Sequence, residues 1–274
     1  MEKQDITEKI KELTKHKYIK LTNCCNSAIL LSFIIAKTRG IGTILIPDQG
    51  GWLTYQSFPP ILNLKLKEVK TDSGLIDLRD LEKKADKNSA LIINSLAGYI
   101  APQPLKEISE ICRNKKTLLI EDASGSIGQE GVCDGSCSDI IVCSFGKWKP
   151  VNLGYGGFIS TNQKEFFELD PELFMMSKFH EQFYSGLMKK LEELPARINY
   201  LQKICHKIKS DFKELSIIHK NYEGLNVIIK FRNDDEREKI INYCRQNKYE
   251  FTLCPRYIRV MDNAISVEVK RLNI

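Results

Sequence analysis

Several features are scarce in this 274-residue chain, and each scarcity removes a class of protein. No apolar run is long enough to span a membrane; the longest, Ala28 to Ala36, includes Ser32 and reads as a buried helix. The opening Met1-Glu2-Lys3-Gln4-Asp5 has no apolar signal core, so a cytoplasmic protein is expected. Histidine occurs four times, at His16, His180, His206 and His219, and these are scattered rather than paired at ligand spacing, which makes them surface or internally satisfied residues. The net charge of +6 is spread along the chain with no basic cluster interleaved with aromatics, so nothing points to nucleic acid. Cysteine is the exception, with nine. An odd count without an export signal favours free thiols. Cys133, Cys137 and Cys143 are spaced by four and six, which matches no usual zinc or iron-sulfur pattern, and no metal site is expected.

What is present is ordinary for a globular protein: 42% hydrophobic and 28% charged residues, in a chain long enough for one large core and a small appendage. Helical and strand periodicities alternate. Asp5 to His16 reads as an amphipathic helix, Tyr18 to Thr22 as a strand, and Asn26 opens an apolar helix to about Lys37. Strands are expected at Thr43–Pro47, Leu64–Val69, Ser89–Leu96, Thr117–Asp122, Asp139–Phe145 and Gly157–Thr161, with helices at Leu78–Lys84 and Pro104–Arg113. This alternation predicts an α/β fold with a mostly parallel sheet and helices on both faces, whose ligands bind beyond the carboxyl ends of the strands. From Pro171 helical periodicity and charge dominate, including a long helix over Glu181–Lys209. A small C-terminal α+β unit follows, with a strand at Gly224–Phe231, a helix at Asp235–Asn247 and a strand at Ala264–Val269. The expected division is a large domain over 1–178, a linking helix over 179–215 and a small domain over 216–274.

One run carries chemistry. Ser144-Phe145-Gly146-Lys147-Trp148-Lys149 follows an apolar strand and precedes Gly156-Gly157, downstream of Ile120-Glu121-Asp122-Ala123. A strand-end carboxylate, then a serine, then a lysine is the set of groups that pyridoxal 5'-phosphate (PLP) requires: a carboxylate for the pyridine nitrogen, a hydroxyl for the phosphate, and an amine for the aldehyde. Other readings exist for each. Lys149 is equally the type of residue found on a solvated loop, and Asp122 before Ala-Ser-Gly suits a turn cap. Asn26 suits a helix N-cap, and Trp52 a core position.

The run resembles the DegT/DnrJ/StrS sugar aminotransferases, a branch of the fold-type I PLP enzymes, of which this chain looks like a shortened and divergent member. Their pattern is Ser-Phe-x-x-x-Lys followed by a glycine pair, which Lys149 fits better than Lys147; the likeness runs from about Ile10 to about Lys207. The resemblance implies an internal aldimine at Lys149 and Asp122 on the pyridinium, the second member of an acidic pair. It also implies a phosphate turn at Cys24-Cys25-Asn26-Ser27, with Cys25, Asn26 and Ser27 binding the cofactor and Ser144 adding a hydroxyl. Trp52 would stack on the ring, with Tyr55 the alternative because the preceding Asp48-Gln49-Gly50-Gly51 is one residue longer than the family pattern. Implied besides are a homodimer and a small-molecule amino donor with a keto acceptor, either a nucleotide-linked keto sugar or a smaller amino or keto acid. Two departures are visible. The family's glutamine three residues after the aspartate is Gly125 here, and its Gly-Tyr-Asn-x-Arg-like motif, supplied to the partner subunit, is absent from residues 172 to 186. A non-catalytic homologue acting as a binding subunit therefore stays open, as does a sulfur-transfer PLP enzyme using Cys24-Cys25.

Overall fold

The computed structural model describes residues 2–168 and 171–273. In chain order the principal elements of the first part are α1 (Glu2–Thr14), β1 (Tyr18–Thr22), α2 (Cys25–Thr38), β2 (Thr43–Pro47), α3 (Leu53–Ile61) and β3 (Lys65–Val69). They continue with α4 (Leu78–Lys84), β4 (Ser89–Asn94), α5 (Leu105–Lys115), β5 (Leu118–Asp122), β6 (Ile140–Ser144) and β7 (Gly157–Thr161). The seven strands form one sheet in the order β1-β7-β6-β5-β4-β2-β3. Only β7 runs against its neighbours β1 and β6; the other pairings are parallel.

Composition explains the order. β4 and β5 are buried at every residue, as central strands covered on both faces must be. β3, Lys-Leu-Lys-Glu-Val, is mostly exposed and charged, which suits the edge it occupies. On one face Ile44, Ile92, Ile120 and Val142 pack against α2 and α3; on the other Leu45, Leu91 and Leu119 meet α4 and α5. Ile141 and Phe158 there meet α1 and α7 (Tyr184–Asp211). The expected α/β architecture with helices on both faces is therefore present. Among the described residues no helix is long and apolar enough to cross a membrane.

α7 follows the short α6 (Pro171–Met176) and a three-ten turn at Glu181–Phe183, so it starts three residues later than the periodicity predicts. Its buried residues Leu187, Leu191, Leu194, Ile198, Leu201, Cys205 and Ile208 alternate by four and three, a single apolar stripe. The first four pack on the large sheet and the last three on the C-terminal unit. That unit consists of β8 (Val227–Lys230), α8 (Asp234–Gln246), β9 (Phe251–Leu253) and β10 (Ala264–Val267), an antiparallel sheet in the order β8-β10-β9. α3 and β9 are not visible in the sequence pattern. α3 ends in Pro59-Pro60, which ordinarily argues against a helix, and β9 is only three residues long.

His16, read as satisfied, is 1% exposed, with Nδ1 2.9 Å from Ser160 Oγ and Nε2 3.0 Å from the Ser138 carbonyl oxygen. Burial, opposed by these hydrogen bonds, pulls its pKa down to about 4. Because the folded value lies below the unfolded one, His16 contributes stability above pH 6.5 that is lost as pH falls toward 4. The loss is on the order of 3 kcal/mol. His16→Gln, less stable at pH 7, should show a flatter dependence of the urea midpoint over that window; parallel wild-type and variant curves would remove His16 as the cause.

Candidate active site

The sheet's carboxyl edge gathers the candidate residues. Asp122 and Ser144 are the last residues of β5 and β6; Cys24 is the N-cap of α2 just past β1, and Trp52 is the N-cap of α3 just past β2. Cys25, Asn26, Trp52, Asp122, Ser144 and Lys149 line one cavity of about 140 Å³, joined by Asn94, Tyr99 and Ser124. Ser27 stands apart from that lining: its hydroxyl donates to Asn23 Oδ1 at 2.7 Å. Asn26 does not cap α2, which begins one residue earlier than the sequence pattern indicates. Its Oδ1 accepts the indole N–H of Trp52 at 2.9 Å and so fixes that ring over the cavity mouth. Behind it, the first-turn amides of α2 have no intrahelical acceptor and lie at the positive end of the helix dipole. Gly157 makes this approach possible, because a Cβ there would lie 2.4 Å from the Cys143 carbonyl oxygen and 3.0 Å from the Cys25 nitrogen.

Asp122 is 3% exposed. Its Oδ1 accepts the Ser124 N–H at 2.9 Å, a turn-forming bond, and its Oδ2 accepts the Tyr55 hydroxyl at 2.7 Å. Tyr55 thus lies beneath the carboxylate, and Trp52 is the aromatic at the cavity. Burial pushes the Cys25 thiol far up, with Asp122 adding to the effect, so it stays protonated and is a poor nucleophile.

Lys147 is exposed, whereas the Lys149 ammonium reaches inward to donate to the Tyr99 hydroxyl. Its nitrogen lies 5.4 Å from the Trp52 ring centroid and 5.0 Å from that of Tyr99. Burial pulls the lysine's pKa down, but Tyr99, Asp122 and Cys25 push it up, and the net direction is upward.

Tyr99 escapes sequence reading. It adopts φ of +69°, uncommon for a residue with a side chain, and its carbonyl accepts the Leu225 and Asn226 N–H groups at 2.8 and 3.0 Å. Its ring fills the space beside Gly125, where a Cβ would meet Tyr99 Cε1 at 2.6 Å. The departure at Gly125 was the one available signal: the space a side chain would take there belongs to Tyr99.

A second cavity, of about 220 Å³, shares Trp52, Tyr99 and Lys149 with the first and is walled by the C-terminal unit. There Glu268, 1% exposed, accepts two bonds of 2.7 Å from Arg259 and lies 3.0 Å from Lys270 Nζ. Burial alone would raise the Glu268 carboxyl, but Arg259, Lys270 and Arg271 hold it well below the usual carboxylate range.

The fold is that of the type I PLP-dependent transferases, and the chain's structural neighbours are sugar aminotransferases and related enzymes of the DegT/DnrJ/StrS type, as the Ser144–Lys149 run indicates. A DegT DnrJ EryC1 StrS aminotransferase from Brucella abortus matches with a TM-score of 0.75 and 16% identity, over 97% of this chain and 84% of that one. E. coli GDP-4-keto-6-deoxy-D-mannose-3-dehydratase, solved with bound hydrated PLP, matches with a TM-score of 0.74 and 17% identity, over 97% and 87%. In sequence, the UDP-4-amino-4,6-dideoxy-N-acetyl-beta-L-altrosamine transaminase of Campylobacter jejuni is 34% identical over 104 residues, 36% of this chain and 27% of that protein. The matched segments span less than half the length of the curated relatives. The model of the MJ1341 family C-terminal domain matches residues 195–274.

If the Tyr99 hydroxyl stabilises the Lys149 ammonium, Tyr99→Phe should keep the fold and lower the pH midpoint at which Lys149 reacts with an acylating reagent, read by mass spectrometry. The shift should be about one unit, the worth of a hydrogen bond to a charged group. Lys147 serves as the internal control, and equal midpoints for wild type and variant would reduce the contact to packing.

Proposed function

We propose that this protein is a PLP-dependent, aminotransferase-like enzyme whose cofactor amine is Lys149. The supporting observation is a single cavity holding a lysine ammonium beneath an aromatic ring, a buried strand-end carboxylate and a helix N-terminus. These groups fit PLP. The α2 first turn with Ser144 and Ser124 would hold its phosphate, Trp52 would cover its ring, and Asp122 would face its pyridine nitrogen. When bound, the cofactor supplies an electron sink for charge developing on the substrate carbon.

The chain's own groups supply the rest. The Lys149 amine would hold the cofactor, and its Nζ, when free, would be the base and acid that carries a proton to and from the substrate carbon. Asp122, fixed by Tyr55 and the Ser124 amide, would favour the charged form of the ring nitrogen. The substrate is a nucleotide-linked keto sugar or a smaller amino or keto acid. Sulfur transfer through Cys25 is disfavoured by its buried, protonated thiol. The transaminase name carried by the Campylobacter jejuni relative supports the reaction class, and the fold supports a homodimer that completes each site across a two-fold axis.

Mixed with PLP, the wild type should develop the near-visible absorption of lysine-bound PLP; Lys149→Ala should lose it and Lys147→Ala should keep it. A colourless Lys147 variant would move the assignment by two residues. Asp122→Asn should melt within ~1 kcal/mol of wild type, since Asn serves a turn almost as well. It should also retain PLP weakly and lose most of the transamination half-reaction; unaltered PLP affinity would leave Asp122 as a turn former. Light scattering at micromolar concentration should give a dimer, and a monomer would speak for a non-catalytic homologue.

A further inference from the structure

An ammonium has three donors and no acceptor, so in the contact between Lys149 and Tyr99 the lysine donates and the phenol oxygen accepts. The hydrogen of that hydroxyl is left over. Tyr99 is 4% exposed and lines the Lys149 cavity, and among the described residues no group accepts its O–H. Buried donors are ordinarily satisfied, so this one points to an acceptor on a ligand in the cavity.

The ring is held where it is. Its backbone carbonyl accepts the Leu225 and Asn226 N–H groups, and Gly224 permits that approach, because a Cβ there would lie 2.6 Å from the Ile100 carbonyl oxygen. Lys270 and Arg259 stand 4.6 and 5.1 Å from the ring centroid, and Gly125 leaves room for the ring edge. The C-terminal unit thus fixes the hydroxyl against Lys149 Nζ. PLP carries an ionised phenolic oxygen on the ring carbon next to its aldehyde, so a lysine joined to that aldehyde has this oxygen beside its nitrogen. A hydroxyl that touches the nitrogen is within reach of the oxygen.

Given the reading of Lys149 as the cofactor amine, on which this rests, we infer that the Tyr99 O–H donates to the phenolic oxygen of PLP and so sets how tightly the bound Lys149 nitrogen holds its proton. The sign of its effect reverses on loading. In the unloaded protein the hydroxyl accepts from an ammonium and strengthens its hold on the proton. In the loaded protein the phenolic oxygen stabilises the proton on the bound nitrogen, and a donor to that oxygen draws off part of its charge and weakens the hold. A bound nitrogen that releases its proton nearer neutral pH can take one from the ammonium of an arriving amine. Asp122, Cys25, Cys143 and Lys270 also act on the Lys149 nitrogen, and Arg259 on Tyr99; each is present in both states.

Asn94 is the competing donor. It is 5% exposed and lines the same cavity, its Oδ1 accepts the Leu96 N–H at 3.2 Å, and its amide N–H groups have no acceptor among the described residues. It stands beside Asp122 in the sheet register, however, whereas Tyr99 contacts the lysine itself.

Spectrophotometric pH titration of the PLP-loaded protein, set beside acylation midpoints of the unloaded protein, tests this in wild type, Tyr99→Phe and Asn94→Ala. Tyr99→Phe should melt close to wild type, hold PLP about tenfold more weakly and, when loaded, titrate about one unit higher, the worth of one hydrogen bond to a charged group. Its Lys149 midpoint without PLP should move the other way. Loaded Asn94→Ala should titrate like wild type. A loaded Tyr99→Phe midpoint that is unchanged or lower, or an upward shift in Asn94→Ala as large as that of Tyr99→Phe, would overturn the inference while leaving lysine-bound PLP in place. A wild type that never develops the lysine-bound absorption would remove the transferase reading, and the role of Tyr99 with it.

Discussion

Three cationic heads surround one phenol. Lys149, Lys270 and Arg259 lie 5.0, 4.6 and 5.1 Å from the Tyr99 ring centroid, and each comes from a different stretch of chain. Like charges brought together in a dry interior repel, and an unpaired buried ion costs ~3–5 kcal/mol, so the arrangement depends on compensation. Glu268 supplies it on the C-terminal side, Asp122 supplies it beyond Lys149, and the ring's negative faces lie between. Remove that compensation and the cleft between the two units has no reason to close around the lysine.

The compensation also explains a division of labour. The large sheet positions groups by its strand ends, which is why Asp122 and Ser144 are rigid and already hydrogen bonded. The C-terminal unit contributes charge through a loop and the residues after its last strand, Arg256, Arg259 and Lys270. Tyr99 belongs to the sheet side by sequence and to the C-terminal side by its backbone carbonyl, and so connects the two.

Legibility followed range. Ile-rich strands such as Ser89–Asn94 and the Ser144–Lys149 run announce themselves, because burial on both faces and a turn after a strand leave local patterns. The contacts that complete the candidate site do not. Tyr99 and Lys149 are fifty positions apart, and Trp52 meets Asn26 across twenty-six. Arg259 and Glu268 are near in sequence, yet nothing in that stretch signals that both are buried beside a lysine far upstream. Capping, the alternative reading of Asn26, suits its short polar side chain, but Cys24 holds the cap position and the Asn26 Oδ1 accepts the Trp52 indole N–H across the cavity. Pro59 and Pro60 hid α3, since proline usually stops a helix and here closes one.

α7 is a 28-residue shaft of about 42 Å, with its front half bedded on the large sheet and its rear half on the C-terminal unit. Pro195 lies between Leu194 and Ile198, both packed on the large-sheet side, about a turn and a half before Leu201, the first residue that packs on the C-terminal unit. Proline has no N–H to offer, so the Leu191 carbonyl loses its usual helical partner and the shaft has one soft joint. The same helix therefore fixes how far the unit that carries Lys270 stands from the sheet whose strand ends lead to Lys149.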